Sequence, residues 1–316
     1  MKLIILRLFQ ILEKIAKTFG FSALAQKFND KKHLICKKII FAKFSSAFFK
    51  TYDINNCTLN KIQKNVFVFW YQDLAQAPEI IKICLDSQQR RIPADWKLHI
   101  ITKTNLNDYI DLPSCIMDKV NNNIISLTML SDIVRFKLLH TYGGLRMDAT
   151  TFLSGNSFFN DIERMHFYTV KGCFQEFELI HGGRTCFFIA SCKGNLICKY
   201  IYDCFEKRFT NNEKPLTYLM VDCFMSLGYD NVEEIRKEID NSESINSIDS
   251  RKIFLLNDYY LSKSYNVDEM KVFLGKESVH KLSYKCSYIT DSKSCYSYIK
   301  NIVFKSKWEN GNEKSN

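Results

Sequence analysis

From residue 65 onward, short apolar β-favouring runs alternate with stretches of helical periodicity, and this alternation most narrows the folds open to the chain. Val66-Phe67-Val68-Phe69-Trp70 is bounded by polar residues and reads as a buried strand. Residues 79–90 read as a helix, with Pro78 suited to its first turn. Residues 96–101 read as a second strand, and two short helices follow near 105–120. A longer helix ends at Tyr142, where Gly143 is suited to terminate it in the left-handed conformation. Leu145, Met147, Thr151 and Phe152 continue as strand, with further strands at 166–170 and 184–190. Residues 195–209, 216–227 and 231–240 read as helices. Strands interleaved with helices predict an α/β domain on a largely parallel sheet.

Composition limits what surrounds that domain. In 316 residues, 46% apolar content is enough to bury a sizeable core, which excludes general disorder. No run of about 18 uncharged apolar residues is present, so no spanning helix is predicted. The twelve cysteines sit mostly in apolar stretches such as IIKICL and TCFFIA, without CxxC or zinc-finger spacing. They read as reduced, buried thiols of a cytoplasmic protein. Asn56-Cys57-Thr58 fits a glycosylation sequon, which a tripeptide reaches by chance.

Charge is gathered at one end. Residues 1–50 hold eleven basic side chains against Glu13 and Asp30, so this segment carries nine of the net +10. Nucleic-acid tracking would spread lysines over a fold face, and is not predicted. Leu3, Ile4, Leu8, Ile11, Leu12, Ile15 and Phe19 recur at helical spacing among these lysines. Two readings follow: a basic amphipathic helix or helix pair lying on an anionic membrane surface, or an extra helix packed on the domain. The concentration of charge favours the first. The organisation expected is an N-terminal extension at 1–60, an α/β domain at 61–305 and a polar tail at 306–316.

The stretch that carries chemistry is Ser131-Asp132-Ile133-Val134-Arg135, then Tyr142-Gly143-Gly144-Leu145-Arg146-Met147-Asp148-Ala149-Thr150. Leu127, Leu130, Val134 and Leu138 form an apolar helix face, while Asp132 and Arg135, three apart, are neighbours on another. After the glycines, Leu145 and Met147 point to one side of a strand, and Arg146, Asp148 and Thr150 to the other. Charged groups near the carboxyl end of a strand stand where open α/β sheets bind ligands. As a bland alternative, a lone Asp–Arg pair three apart is a surface ion pair of less than about 1 kcal/mol.

The combination S-D-x-x-R, spacer, G-G-x-x-x-D-x-T resembles the donor site of GT-A glycosyltransferases, and most nearly the capsular polysaccharide synthesis proteins. The likeness extends over roughly residues 65–290. It implies a Rossmann-like GT-A fold and transfer of a sugar, retaining its anomeric configuration, from a nucleoside-diphosphate donor (a UDP-sugar by preference). The acceptor implied is a lipid-linked or other capsule or lipopolysaccharide-type glycan at the cytoplasmic membrane face. The resemblance assigns Trp70 to stacking on the base, Asp132 and Arg135 to donor sugar and diphosphate, and Asp148 to the ribose and a divalent cation. Thr150 stands where many relatives carry a second aspartate, which weakens a Mn²⁺ or Mg²⁺ site. Arg146 offers compensating charge beside the phosphates, and Gly144 belongs to the donor loop. In VHKLSYK, Lys281 or Lys285 corresponds to a clamp on the diphosphate and His280 to a metal contact, with a surface or packed histidine as the plainer reading of His280. Asp222 corresponds to an acidic group on the acceptor side. Trp70 as simple core, a protein acceptor, and an inactive scaffold of a synthesis complex remain the alternatives. His181, in HGGR, is a further loop candidate.

Overall fold

The computed structural model describes residues 2–52, 61–171, 184–211 and 213–302. The sequon at Asn56, His181 and the tail at 306–316 lie outside the described residues. Strands β1 (Asn65–Phe69), β2 (Lys97–Ile101), β3 (Gly144–Asp148), β5 (Phe167–Lys171) and β6 (Arg184–Ser191) form one sheet in the order β2-β1-β3-β6-β5. A second, two-stranded sheet pairs β4 (Thr151–Leu153) with β7 (Val279–Lys281).

The twelve α-helices among the described residues are α1 (Lys2–Thr18), α2 (Ser22–Phe41), α3 (Ser46–Lys50), α4 (Glu79–Arg91), α5 (Ser114–Asn121), α6 (Leu127–Tyr142), α7 (Phe158–Ile162), α8 (Leu196–Thr210), α9 (Met220–Asn231), α10 (Glu233–Asn241), α11 (Leu261–Lys263) and α12 (Val267–Lys276). Period-two alternation divides the strand side chains between two cores. Phe67 and Phe69 join the apolar face of α6 and residues of α5, α8 and α9. Val66, Val68, Leu145 and Met147 join α4, α7 and the C-terminal elements. Each fully buried aliphatic or aromatic side chain here contributes on the order of 1.5–3 kcal/mol.

The sheet is mixed, which corrects the expectation of a largely parallel one. β2, β1 and β3 are mutually parallel, but β6 runs antiparallel to both β3 and β5. A parallel neighbour requires a crossover of the chain, whereas an antiparallel pair needs only a connecting loop. Element order alone does not distinguish these. The strand expected through Phe152 also breaks at Ala149-Thr150, and β4 leaves to pair with β7, with Phe152 opposite His280.

The twin glycines are demanded by sterics. Gly143 ends α6 at φ 65° and ψ 175°, a positive-φ terminator with extended ψ rather than the left-handed helical cap expected. Gly144 follows at φ 117°, and a Cβ there would lie 2.4 Å from the Asn65 carbonyl oxygen on β1. Only glycine lets β3 enter beside β1 at this angle.

The N-terminal helices pack differently from one another. Cys36 and Ile40 of α2, with Phe44, Phe49 and Tyr52, share one core with α6, α8 and α9. His33 Nε2 meets Thr217 Oγ1 at 3.0 Å, and the Tyr52 hydroxyl donates to Asp203 at 2.6 Å. Helix α1 behaves otherwise: its apolar stripe Ile4, Leu8, Ile11 and Ile15 is exposed, while Leu6, Glu13 and Ala16 face inward. Among the described residues, no helix is long and apolar enough to cross a membrane.

Candidate functional site

Parallel register sets the place of the site. Phe69 pairs with Asp148, so Trp70 and Asp148 stand together at the carboxyl ends of β1 and β3. Helix α6, capped at its start by the Ser126 side chain on the Met129 amide, runs back along the sheet and brings Asp132 and Arg135 to the same end.

The Arg135 guanidinium, 4% exposed, pairs through Nη1 with Asp132 Oδ1 and donates from Nη2 to Asp148 Oδ1 at 2.8 Å. Arg146, fully buried on the intervening strand, donates to the Met147 carbonyl and, at 3.0 Å, to Ser131 Oγ. Its Nη1 is 3.6 Å from Asp148 Oδ1. From β7, Lys281 Nζ donates to Asp148 Oδ2 and to Thr150 Oγ1, at 2.6 Å each. Thus both oxygens of Asp148 are held by cations. Six residues singled out in the sequence, Asp132, Arg135, Arg146, Asp148, Thr150 and Lys281, form one contiguous cluster.

Its electrostatics follow from that packing. Burial opposes ionisation of Asp148, but Lys281, Arg135 and Arg146 outweigh it and hold the carboxyl well below its ordinary range. Burial raises Asp132, helped by the Asp148 charge and opposed by Arg135. Burial also opposes the charge of Arg135, yet its two carboxylate neighbours leave it more firmly protonated than usual. Arg146 is lowered to about 9 by burial and then by Arg135. In the first turn of α9, Asp222 is pushed up to about 7, first by burial and then by the Asp132 charge, so it belongs to the same electrostatic group. The Cys186 thiol of β6 feels Asp222, Arg135 and Asp132 and is held neutral by burial.

The other candidates lie apart from this cluster. Trp70 is partly buried and meets Tyr284 edge to face, with centroids 5.6 Å apart. Its indole Nε1 is buried with no hydrogen-bond partner among the described residues. Lys285 is exposed and lies over the ring of Tyr284, at 5.7 Å, outside the ion-pair network. Gly144 begins β3 at the end opposite Asp148, so its part is the close approach to Asn65 rather than a donor contact. Of the two readings of His280, the packed histidine is the one observed and the metal contact is corrected. One residue from Lys281 on β7, it points to the other face, is fully buried against Phe152 and Phe273, and meets Ser154 Oγ at 2.9 Å. Burial lowers it to about 3.

Three supporting residues were not singled out. Gln88 Nε2 of α4 donates at 2.7 Å to the Thr151 carbonyl and reaches toward that of Asp148, while Ser87 Oγ accepts the Leu153 amide at 3.0 Å. Together they fasten the turn that carries Asp148 and Thr150. The available signal is two polar residues extending the buried face of α4 from Cys84, at spacings of three and four. Tyr284, beside Trp70, carries no such signal.

The donor set does not suit the divalent cation that the resemblance implies. Asp148 is the single carboxylate at the turn and is already paired, Thr150 offers a weak hydroxyl, and His280 faces away. Among the described residues, no group of three His, Cys, Asp or Glu is arranged to hold a metal.

A mixed α/β fold that gathers two guanidiniums and an ammonium at the carboxyl end of parallel strands has a charge arrangement suited to an anionic small molecule. The chain belongs to the capsular polysaccharide synthesis protein family, which it matches over residues 16–302. It is 31% identical over 102 residues to the O-glycosyltransferase braB of Annulohypoxylon truncatum, covering 28% of this chain and 23% of that relative. The chain thus matches about a quarter of that protein's length. Among solved structures it is similar to the PaToxG glycosyltransferase, at 16% identity and a TM-score of 0.38, over 67% of this chain and 83% of the other.

Proposed function

We propose that the chain is a GT-A-type glycosyltransferase that moves a sugar from a nucleoside-diphosphate donor, a UDP-sugar by preference, to a capsule or lipopolysaccharide-type glycan. One observation carries the reading: Arg135, Arg146 and Lys281 converge on Asp148 at the carboxyl end of the β1–β3 pair. Three cations against the carboxylates of Asp132 and Asp148 leave an excess of positive charge, which suits a diphosphate. Family membership and a relative named as an O-glycosyltransferase support the same chemistry.

In this reading the anomeric C–O bond breaks and its electron pair stays on the diphosphate. The fixed cations stabilise that developing charge in a site largely closed to water, where each is worth more than at a surface. The acceptor hydroxyl forms the new C–O bond and releases a proton. Asp222, pushed up to about 7 by burial and then by the Asp132 charge, is a neighbouring group suited to receive it. Trp70 and Tyr284 frame the adjacent end of the sheet, where an aromatic surface suits a nucleobase. Asp132 and Asp148 hold the guanidinium of Arg135 in place before donor arrives.

The exposed stripe of α1 supports a reading in which the enzyme works at a membrane surface. Ile4, Leu8, Ile11 and Ile15, with Phe19 and Phe21, form an apolar face flanked by exposed Arg7, Lys14, Lys17, Lys27 and Lys31. Apolar side chains rimmed by cations suit the headgroup region of an anionic bilayer, and hence a lipid-linked acceptor at the cytoplasmic face.

A panel of nucleotide sugars, scored for hydrolysis and thermal stabilisation, tests the reading. Turnover of one donor by the wild type, lost in Asp148→Asn, is expected. Absence of both stabilisation and hydrolysis across the panel would refute it.

A further inference from the structure

Lys281 occupies the D-x-T turn to which the resemblance assigns a divalent ion. Its Nζ is 2.6 Å from Asp148 Oδ2 and 2.6 Å from Thr150 Oγ1, the two side chains of the D-x-T turn. The position is built rather than incidental. Lys281 is locked by backbone pairing with Thr151, by its own amide on the Ile253 carbonyl at 2.8 Å, and by the Leu282 amide on the Thr150 carbonyl at 2.9 Å. Its ammonium lies 5.3 Å from the Phe187 ring centroid, a contact that further favours a cation there. The remaining Asp148 oxygen accepts from Arg135 and lies near Arg146. A divalent ion entering this turn would have to displace an ammonium and settle beside two guanidiniums, with one carboxylate to hold it.

We propose that Lys281 is a built-in cation that takes the place of the divalent metal, so that the diphosphate of the donor is bound and neutralised without Mn²⁺ or Mg²⁺. The threonine at position 150 fits this arrangement. A hydroxyl accepts from an ammonium without adding negative charge, whereas a second carboxylate would offset the cation the diphosphate needs. In the transfer step Lys281 supplies charge and exchanges no proton. The C–O electron pair goes to the diphosphate, and the proton comes from the acceptor hydroxyl alone. The proposal rests on the nucleotide-sugar reading above.

Titration calorimetry with UDP, in EDTA and then in Mn²⁺, tests it. Wild-type affinity is expected to differ by less than about threefold between the two, Lys281→Met to bind UDP at least about tenfold more weakly in EDTA, and Lys281→Arg to keep most of the affinity. The arginine variant preserves the charge and the pairing to Asp148, which separates loss of the cation from loss of the fold. A rise of about tenfold or more for the wild type on adding Mn²⁺ would overturn the proposal, as would a folded Lys281→Met that binds UDP normally in EDTA. If UDP binds under neither condition, while the nucleotide-sugar panel also gives nothing, the donor reading itself fails and this proposal falls with it.

Discussion

Replacing Arg135 by methionine removes the charge that two carboxylates share while filling most of the volume. Asp132 keeps no other ion-pair partner among the described residues, and Asp148 retains Lys281 and the more distant Arg146. Breaking a fully buried pair costs about 3–5 kcal/mol. Asp132 and Asp148 keep 16% and 26% side-chain exposure, so solvent recovers part of this and about 2–3 kcal/mol remains. At roughly 2 cal/mol/K of unfolding entropy per residue, that lowers the Tm by about 3–5 °C. The loss depends on pH in a definite direction. Burial already raises Asp132 in the wild type, and without Arg135 it rises further. A carboxyl whose folded pKa exceeds its unfolded value binds more protons when folded, so its penalty is absent at low pH and grows as pH rises through that interval. Differential scanning fluorimetry should therefore find the gap between wild type and Arg135→Met wide at pH 8 and clearly narrower at pH 5. An unchanged Tm, or a gap that widens on acidification, would refute this account of the cluster.

Four further outcomes follow from the structure. Asp148→Asn should abolish transfer and also lower stability by about 2 kcal/mol, because the amide leaves three cations without their shared counter-charge; activity and melting measured together check this. In the wild type, the stability from Asp148 is full above its unfolded value near 4 and is lost as pH falls below it, the sign for a depressed carboxyl. If Asp222 takes the acceptor proton, kcat/KM rises with pH through about 7, and that limb vanishes in Asp222→Asn; an unchanged profile in the variant would dismiss it. Leu8→Glu with Ile11→Glu, both on the exposed face of α1, should leave the fold intact yet abolish sedimentation with phosphatidylglycerol vesicles, with wild-type binding falling as salt increases. Equal binding to neutral and anionic vesicles would contradict the basic-surface reading.

Local patterns were legible in the sequence, and long-range pairings were not. The strand at 66–69, the helix ending at Tyr142 and the split between Leu145/Met147 and Arg146/Asp148 follow from periodicity, which depends on residues a few positions apart. Asp132 and Arg135 share a helix, and two glycines bring the next strand back beside it, so their meeting with Asp148 was also readable. Lys281 was reached through family resemblance alone, since nothing local announces a partner 133 residues away. The antiparallel entry of β6 and the inward face of His280 depend on which strands pair and in which register, and one residue of register decides which face a side chain takes. The buried partners Ser87 and Gln88 escaped because polar residues near a helix end ordinarily read as solvated. The outward stripe of α1 was the reverse case: its periodicity was evident, but which way the apolar face turned was not.

The most direct measurement is a crystal structure of the protein with UDP bound. Diphosphate oxygens within hydrogen-bond distance of Arg135 and Lys281, with the uracil against Trp70 or Tyr284, are the predicted result. Nucleotide bound elsewhere, with the Asp148 ion pairs untouched, would contradict the account.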